Sequence, residues 1–94
     1  MLGEKIKEIR EDKGFVQREV AAALGVDTAY ISKMEKNDKP VSRKKLKMLA
    51  SFFKINENEL LPYWLAQKVL SVISNEDYAI DALEIVKTEI DKKK

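Results

Sequence analysis

The feature that most constrains this chain is the 20-residue stretch Gln17–Lys36, QREVAAALGVDTAYISKMEK. Ala21 is small enough for a second helix to cross closely, and Gly25 accepts the positive φ of a tight turn. Apolar residues fall where they fill the wedge between the two helices: Val20, Leu24, Val26, Ile31 and Met34. Because each position meets a separate steric demand, the stretch predicts two short helices packed across a tight turn.

Helical signals continue on both sides of this stretch. A first helix begins near Leu2 and meets a stop at Gly14. The N-cap candidates for later helices are Asp27, Ser42 and Asn56, with Glu59 at capping-box spacing from the last, and Asn37 suits a left-handed helix end. These signals predict five helices over residues 1–61.

After Pro62 the sequence becomes richer in apolar residues, and this proline marks the boundary between the two patterns. A very apolar helix containing Trp64 is followed by a break at Ser74-Asn75 and a last helix from Glu76 to about Asp91. No strand pattern appears. We therefore predict an all-α fold, with a five-helix domain over residues 1–61 and a two-helix extension over residues 62–94.

The composition excludes several kinds of site. There is no Cys and no His, so disulfides, thiolate metal sites and histidine bases are absent. No glycine-rich phosphate loop occurs, and the acidic residues are scattered along helical patterns, so we expect no enzyme activity, cofactor, metal or small-molecule ligand. No apolar run is long enough to cross a bilayer and no secretory signal is visible, which predicts a cytoplasmic protein without a membrane partner.

Charge is unevenly distributed along the chain. Residues 1–56 carry 13 Lys and Arg against 8 Asp and Glu, whereas residues 57–94 carry 5 against 8. The positive charges concentrate between residues 33 and 54. This asymmetry makes a polyanion a plausible partner for the first part of the chain, although a solvated lysine-rich surface would have the same composition.

The segments KIKEIREDKGF, YISKMEK and FFKINENEL, together with the Gln17, Ala21 and Gly25 frame, resemble the phage repressor and Cro-like (XRE-type) helix-turn-helix domain. The resemblance covers roughly residues 2–61. It implies a sequence-specific, DNA-binding transcriptional regulator whose third helix enters the major groove of double-stranded DNA. The small size and helical tail are similar to restriction–modification controller proteins, which autoregulate; phage-type repressors and antitoxins remain open as alternatives.

Three positions depart from the family pattern. Val16 stands where the family usually has a capping Ser or Thr, Asn37 stands where it often has Gly, and Pro40 comes one place early. We therefore expect the loop after the third helix to follow a path of its own.

The resemblance also assigns roles to individual residues. It places Thr28, Ala29, Tyr30 and Lys33 at the base edges. The phosphate contacts it implies are Gln17, Arg18, Ser32, Lys36, Asn37, Lys39, Arg43 and Lys44. None of the base-facing residues is an Arg, Asn or Gln, so base readout is modest and DNA shape must contribute. Arg10 and Glu35 are expected to form a structural ion pair between the first and third helices.

The last helix suggests how the chain assembles. Ala79, Leu83, Val86 and Ile90 repeat at spacings of four, three and four, which forms one apolar stripe. We expect this stripe to be the interface of a homodimer that binds a two-fold operator. Two alternatives stay open: the last two helices could fold back to complete the monomer core, and the scaffold could serve as a protein-interaction module or antitoxin-type partner.

Overall fold

The computed structural model describes all 94 residues and contains six α-helices and no strand. The helices are α1 (Leu2–Asp12), α2 (Gln17–Leu24), α3 (Thr28–Glu35), α4 (Arg43–Phe53), α5 (Leu61–Ile73) and α6 (Ala79–Lys92). The all-α prediction is confirmed. The expected count of seven helices is one too many, because the expected fifth helix is only the 3-10 turn Glu57–Glu59.

Local signals set most helix ends as predicted. The side chains of Asp27 and Ser42 accept hydrogen bonds from backbone N–H groups three residues later, at 2.8 and 3.1 Å, and so begin α3 and α4. Gly25 ends α2 with a φ of 70°, and Asn37 follows α3 with a φ of 63°. These caps confirm the predicted turns on either side of α3.

The junction between α4 and α5 differs from the prediction. The Asn56 side chain accepts from the Asn58 N–H at 2.8 Å, which closes a single 3-10 turn in place of a capping box with Glu59. Pro62 does not end a helix but lies in the first turn of α5, where its missing N–H costs no helical hydrogen bond. Helix α5 therefore begins at Leu61, which packs against the core.

The core is formed by α1 to α4 and the residues just after them. Fourteen buried apolar side chains make one cluster: Leu2, Ile6, Ile9, Val20, Ala21, Leu24, Ile31, Met34, Val41, Leu46, Leu49, Ala50, Phe53 and Leu60. All five wedge positions between α2 and α3 lie in this cluster or pack against it. The last residue of the cluster is Leu60, so no residue of α5 or α6 belongs to it.

The close approach of α1 to the end of α3 depends on Gly3. A β-carbon at this position would lie 2.5 Å from the Glu35 carbonyl oxygen, 2.6 Å from that of Met34 and 2.7 Å from Asn37 Oδ1. The Gly3 N–H donates to this same Asn37 oxygen at 2.8 Å. Gly3 therefore sets how closely α1 and α3 can pack.

The two C-terminal helices differ in their attachment. The first turns of α5 rest on the core through the partly buried Leu61 and Trp64. No residue of α6 is buried, and α6 has no substantial contact with another helix. The alternative that both helices complete the monomer core is therefore wrong for α6. None of the helices is long and apolar enough to span a membrane.

Replacing Gly3 with alanine tests the α1–α3 approach. The added methyl group must push α1 away from three backbone and side-chain oxygens, so we expect Gly3→Ala to lower the free energy of unfolding by about 1–3 kcal/mol in urea denaturation. Lys7→Ala, on an exposed site of α1, is the matched control and should change stability little. Equal stability of Gly3→Ala and the wild type would mean that α1 is free to move.

Candidate nucleic-acid interface

The outward face of α3 carries the residues expected at the base edges. Ile31, Met34 and Glu35 are buried, which turns Thr28, Ala29 and Lys33 to solvent. Because the inward residues are fixed in the core, the three exposed side chains have a defined position on the surface of the protein. Ser32 is half-buried at the edge of this face.

Arg10 and Glu35 meet beneath α3. Arg10 Nε donates to Glu35 Oε2 at 2.7 Å and Arg10 Nη2 donates to Glu35 Oε1 at 3.2 Å, so the guanidinium holds the carboxylate with two parallel hydrogen bonds. Both side chains are buried, with exposures of 11% and 2%. The hydrogen bonds to Glu35 raise the pKa of Arg10 above its usual value, so the guanidinium stays charged.

This ion pair belongs to a larger network. Arg10 Nη1 donates to the Phe15 carbonyl oxygen at 2.9 Å, and Gln17 Nε2 donates to Glu35 Oε1 at 3.0 Å. The network joins α1, the start of α2 and the end of α3. One N–H of the Gln17 side-chain amide is thus used within the protein, and the expected phosphate contact of Gln17 stays a prediction. The first backbone N–H groups of α2 lack helical acceptors, as at any helix start.

Tyr30 points toward the loop that follows α3 and not along the outward face. Its hydroxyl donates to the Pro40 carbonyl oxygen at 3.3 Å. The ammonium groups of Lys39 and Lys45 lie 5.8 and 5.7 Å from the centre of its ring, which is within cation–π range. In this structure the Tyr30 side chain thus contacts the loop after α3, and its expected base-edge role stays a prediction.

The loop after α3, residues 36–42, is named the basic loop below. Asn37 is tied to α1: its Oδ1 accepts from Gly3, and its Nδ2 donates to Glu4 Oε1 at 2.8 Å. Hydrogen bonds from the N-terminal ammonium group and from Asn37 lower the pKa of the exposed Glu4 to about 2. The amide of Asn37 thus holds the basic loop, and its expected phosphate contact stays a prediction.

The remaining expected phosphate contacts fall into two groups. Four are exposed and have no ion-pair partner in the chain, and they form what we call the basic rim: Arg18, Lys36, Lys39 and Lys44. Arg43 is different, because its Nε donates to Glu57 Oε1 at 2.8 Å and its guanidinium lies 5.4 Å from the Trp64 ring centre. One residue of the rim lies on α2, two lie in the basic loop and one lies on α4.

Two residues near this surface were not predicted from the sequence. Lys45 reaches the Tyr30 ring, and Trp64 Nε1 donates to the Val41 carbonyl oxygen at 2.6 Å. Lys45 belongs to the basic run Arg43–Lys47, which is visible in the sequence, but the direction of its side chain depends on tertiary packing. The Trp64 contact joins residues 23 positions apart, and no local pattern indicates it. No cluster of acidic side chains is placed to hold a metal ion.

The arrangement is an all-helical scaffold that presents the outward face of one short helix and four exposed, unpaired basic side chains. A sequence profile described as helix-turn-helix matches residues 6–60, more than half of the chain. The chain therefore belongs to the XRE-type helix-turn-helix family of DNA-binding transcriptional regulators, and the resemblance noted in the sequence is confirmed.

Two solved structures are similar to this chain. The restriction–modification controller protein C.AhdI from Aeromonas hydrophila is 30% identical over 63% of this chain and 86% of its own, with a TM-score of 0.60. A chain of a SinR–SinI protein complex is 20% identical with full coverage of both chains and a TM-score of 0.56, and this match supports the fold alone. No curated protein matches the sequence.

Breaking the buried ion pair tests whether it holds α3 in place. Glu35→Leu leaves the Arg10 guanidinium buried without its partner, so we expect a loss of about 3–5 kcal/mol in the free energy of unfolding. Arg10→Met combined with Glu35→Leu should recover much of this loss, because no charge is then left unpaired. Arg43→Met, which breaks the more exposed pair with Glu57, should cost at most about 1 kcal/mol and serves as the control. A double variant as unstable as Glu35→Leu would contradict this account.

Proposed function

We propose that this chain is a sequence-specific regulator that inserts α3 into the major groove and binds a two-fold operator as a homodimer. The observation that carries the proposal is the outward face of α3, which the buried residues and the Arg10–Glu35 network hold in place, on a chain that also exposes the unpaired cations of the basic rim. A fixed helix of this kind needs no reorganisation on binding, which favours discrimination between base sequences.

Contacts divide between bases and backbone in this proposal. Lys33 donates to guanine acceptors, Thr28 bonds a base edge or packs on a thymine methyl, and Ala29 offers only apolar contact. The basic rim neutralises phosphates and fixes the register of the protein on the duplex. Because Lys33 is the one charged hydrogen-bond donor on the outward face of α3, indirect readout of DNA shape must add to specificity.

The apolar stripe on α6 supports dimerisation. Leu83, Val86 and Ile90 are 39%, 52% and 52% exposed, and α6 has no partner helix in its own chain. A 14-residue helix is marginal by itself in water, so its folded form needs an apolar surface from another molecule. A second copy provides the same stripe, and a symmetric dimer presents two α3 helices to a two-fold site. Residues 62–94 are thus the dimerisation element of the proposal.

Autoregulation is part of the proposal because of the similarity to a restriction–modification controller protein. The test is selection of binding sites from random DNA, followed by footprinting on the promoter of the gene that encodes this chain. The proposal expects a selected site with two-fold symmetry and protection at that promoter. Selection that yields no preferred sequence would argue against sequence-specific binding.

A second candidate function follows from the same exposed stripe. If α6 is covered by a different protein, the chain is a protein-interaction module or antitoxin-type partner on a helix-turn-helix scaffold. A monomer at all concentrations in analytical ultracentrifugation, with the wild-type sequence, would favour this candidate over the homodimer.

Lys33→Ala tests base readout by α3. Since Lys33 is the only charged donor on the outward face, we expect a loss of about 1–3 kcal/mol on the selected site and a relaxed preference at one position of each half-site. Binding is measured by fluorescence anisotropy on the selected site and its single-base variants. Lys7→Ala, which removes an exposed lysine of α1, is the control. Equal weakening on all sequences would assign Lys33 to a phosphate.

Leu83→Glu tests the apolar stripe. Because α6 does not pack on the core, the variant should keep the fold of residues 1–61 and its free energy of unfolding. It should sediment as a monomer and bind the selected site much more weakly. Thr88→Glu adds the same charge on the opposite side of α6 and should remain a dimer. A Leu83→Glu protein that stays dimeric with unchanged DNA affinity would locate the interface elsewhere.

A further inference from the structure

The path of the basic loop is fixed by two aromatic side chains on two successive carbonyl groups. The Tyr30 hydroxyl donates to the Pro40 carbonyl oxygen at 3.3 Å, and the Trp64 indole N–H donates to the Val41 carbonyl oxygen at 2.6 Å. Tyr30 belongs to α3, whereas Trp64 belongs to the first turn of α5. The basic loop is therefore attached both to α3 and to α5.

Trp64 holds the loop from several directions. Beyond its hydrogen bond, its ring lies 5.4 Å from the Arg43 guanidinium and 4.5 Å from Lys68 Nζ, both measured to the ring centre. Val41, the residue that it holds, is itself buried in the core cluster. Trp64 thus fixes the C-terminal end of the basic loop just before α4 begins.

The rest of the loop has little other support on this side. A cleft of about 280 Å³ lies between residues 37–41 and the α5 side chains Gln67, Lys68 and Ser71. Since this side of the loop borders open space, the Val41–Trp64 hydrogen bond is the direct tie between the loop and α5. Lys39 lies between the tied ends, and its position depends on them.

We propose that Trp64 is a positioning residue for DNA binding: it holds the basic loop so that Lys39 reaches a phosphate. It does this without touching DNA, because its indole is used on Val41 and lies on the α5 side of the loop. The inference rests on the proposed DNA-binding function, of which the contact made by Lys39 is one part. It also makes the phosphate affinity of the loop depend on the attachment of α5.

The test is a double-mutant cycle on the intact chain with a fluorescein-labelled random-sequence DNA duplex, on which phosphate contacts are measured without base readout. In the wild type, Lys39→Ala should weaken binding and make the slope of log affinity against log salt shallower by about 1. In a Trp64→Phe background, which keeps an aromatic ring but removes the N–H, Lys39→Ala should change the slope much less.

Arg18→Ala is the matched control, because Arg18 lies at the start of α2 and its side chain has no hydrogen bond or ion pair with the basic loop. It should weaken binding equally in both backgrounds. If neither Lys39→Ala nor Arg18→Ala weakens binding to random DNA, the proposed phosphate surface itself is wrong. If both weaken it and the effect of Lys39→Ala is the same with Trp64→Phe, the surface stands and the positioning role of Trp64 is wrong.

A second measurement needs no substitution at Trp64 and so remains decisive if Trp64→Phe fails to fold. The chain has one tryptophan, so its indole N–H gives a single, assignable NMR signal. The proposal expects this N–H to exchange slowly with solvent in the free protein, because it donates to the Val41 carbonyl oxygen, and to stay protected on the random duplex. An indole N–H that exchanges as fast as that of a solvent-exposed tryptophan would overturn the proposal, since the loop would then not be held by Trp64.

Discussion

The contact on which the rest of the structure depends is the buried pair of Arg10 and Glu35. Burying two charges is favourable only when every hydrogen-bonding atom finds a partner, and here the guanidinium and carboxylate are satisfied by each other, by Phe15 and by Gln17. Those partners come from three different segments. The network can form in only one relative arrangement of α1, α2 and α3, which is why α3 is presented at a defined angle.

Much of the fold is predictable because its determinants are local. Gly25, Asp27 and Ser42 act on backbone groups within a few residues of themselves, so their effects can be read from the sequence without the rest of the chain. The outward position of Thr28 and Lys33 follows in the same way from helical periodicity. Arg10 and Glu35 needed the family resemblance, since nothing in their separation indicates a contact.

The parts that could not be predicted depend on contacts between distant segments. The requirement for glycine at Gly3 arises from carbonyl groups of α3, and the direction of Tyr30 arises from a carbonyl of the basic loop. Arg43 was expected to contact a phosphate, but its guanidinium pairs with Glu57 from the 3-10 turn. In each case the residue type was visible in the sequence, and its partner was set by how the helices pack.

The exposure of α6 has a consequence for how the response of such a regulator scales with its own amount. If the stripe is covered by a second copy, well below the dimer dissociation constant the dimer concentration rises with the square of the chain concentration. Doubling the chain then raises the operator-binding species about fourfold by mass action. Gene control would remain weak while the chain accumulates and then strengthen over a narrow range of chain concentration. A helix that adds nothing to the core would thus set the chain concentration, and so the delay after expression begins, at which regulation starts.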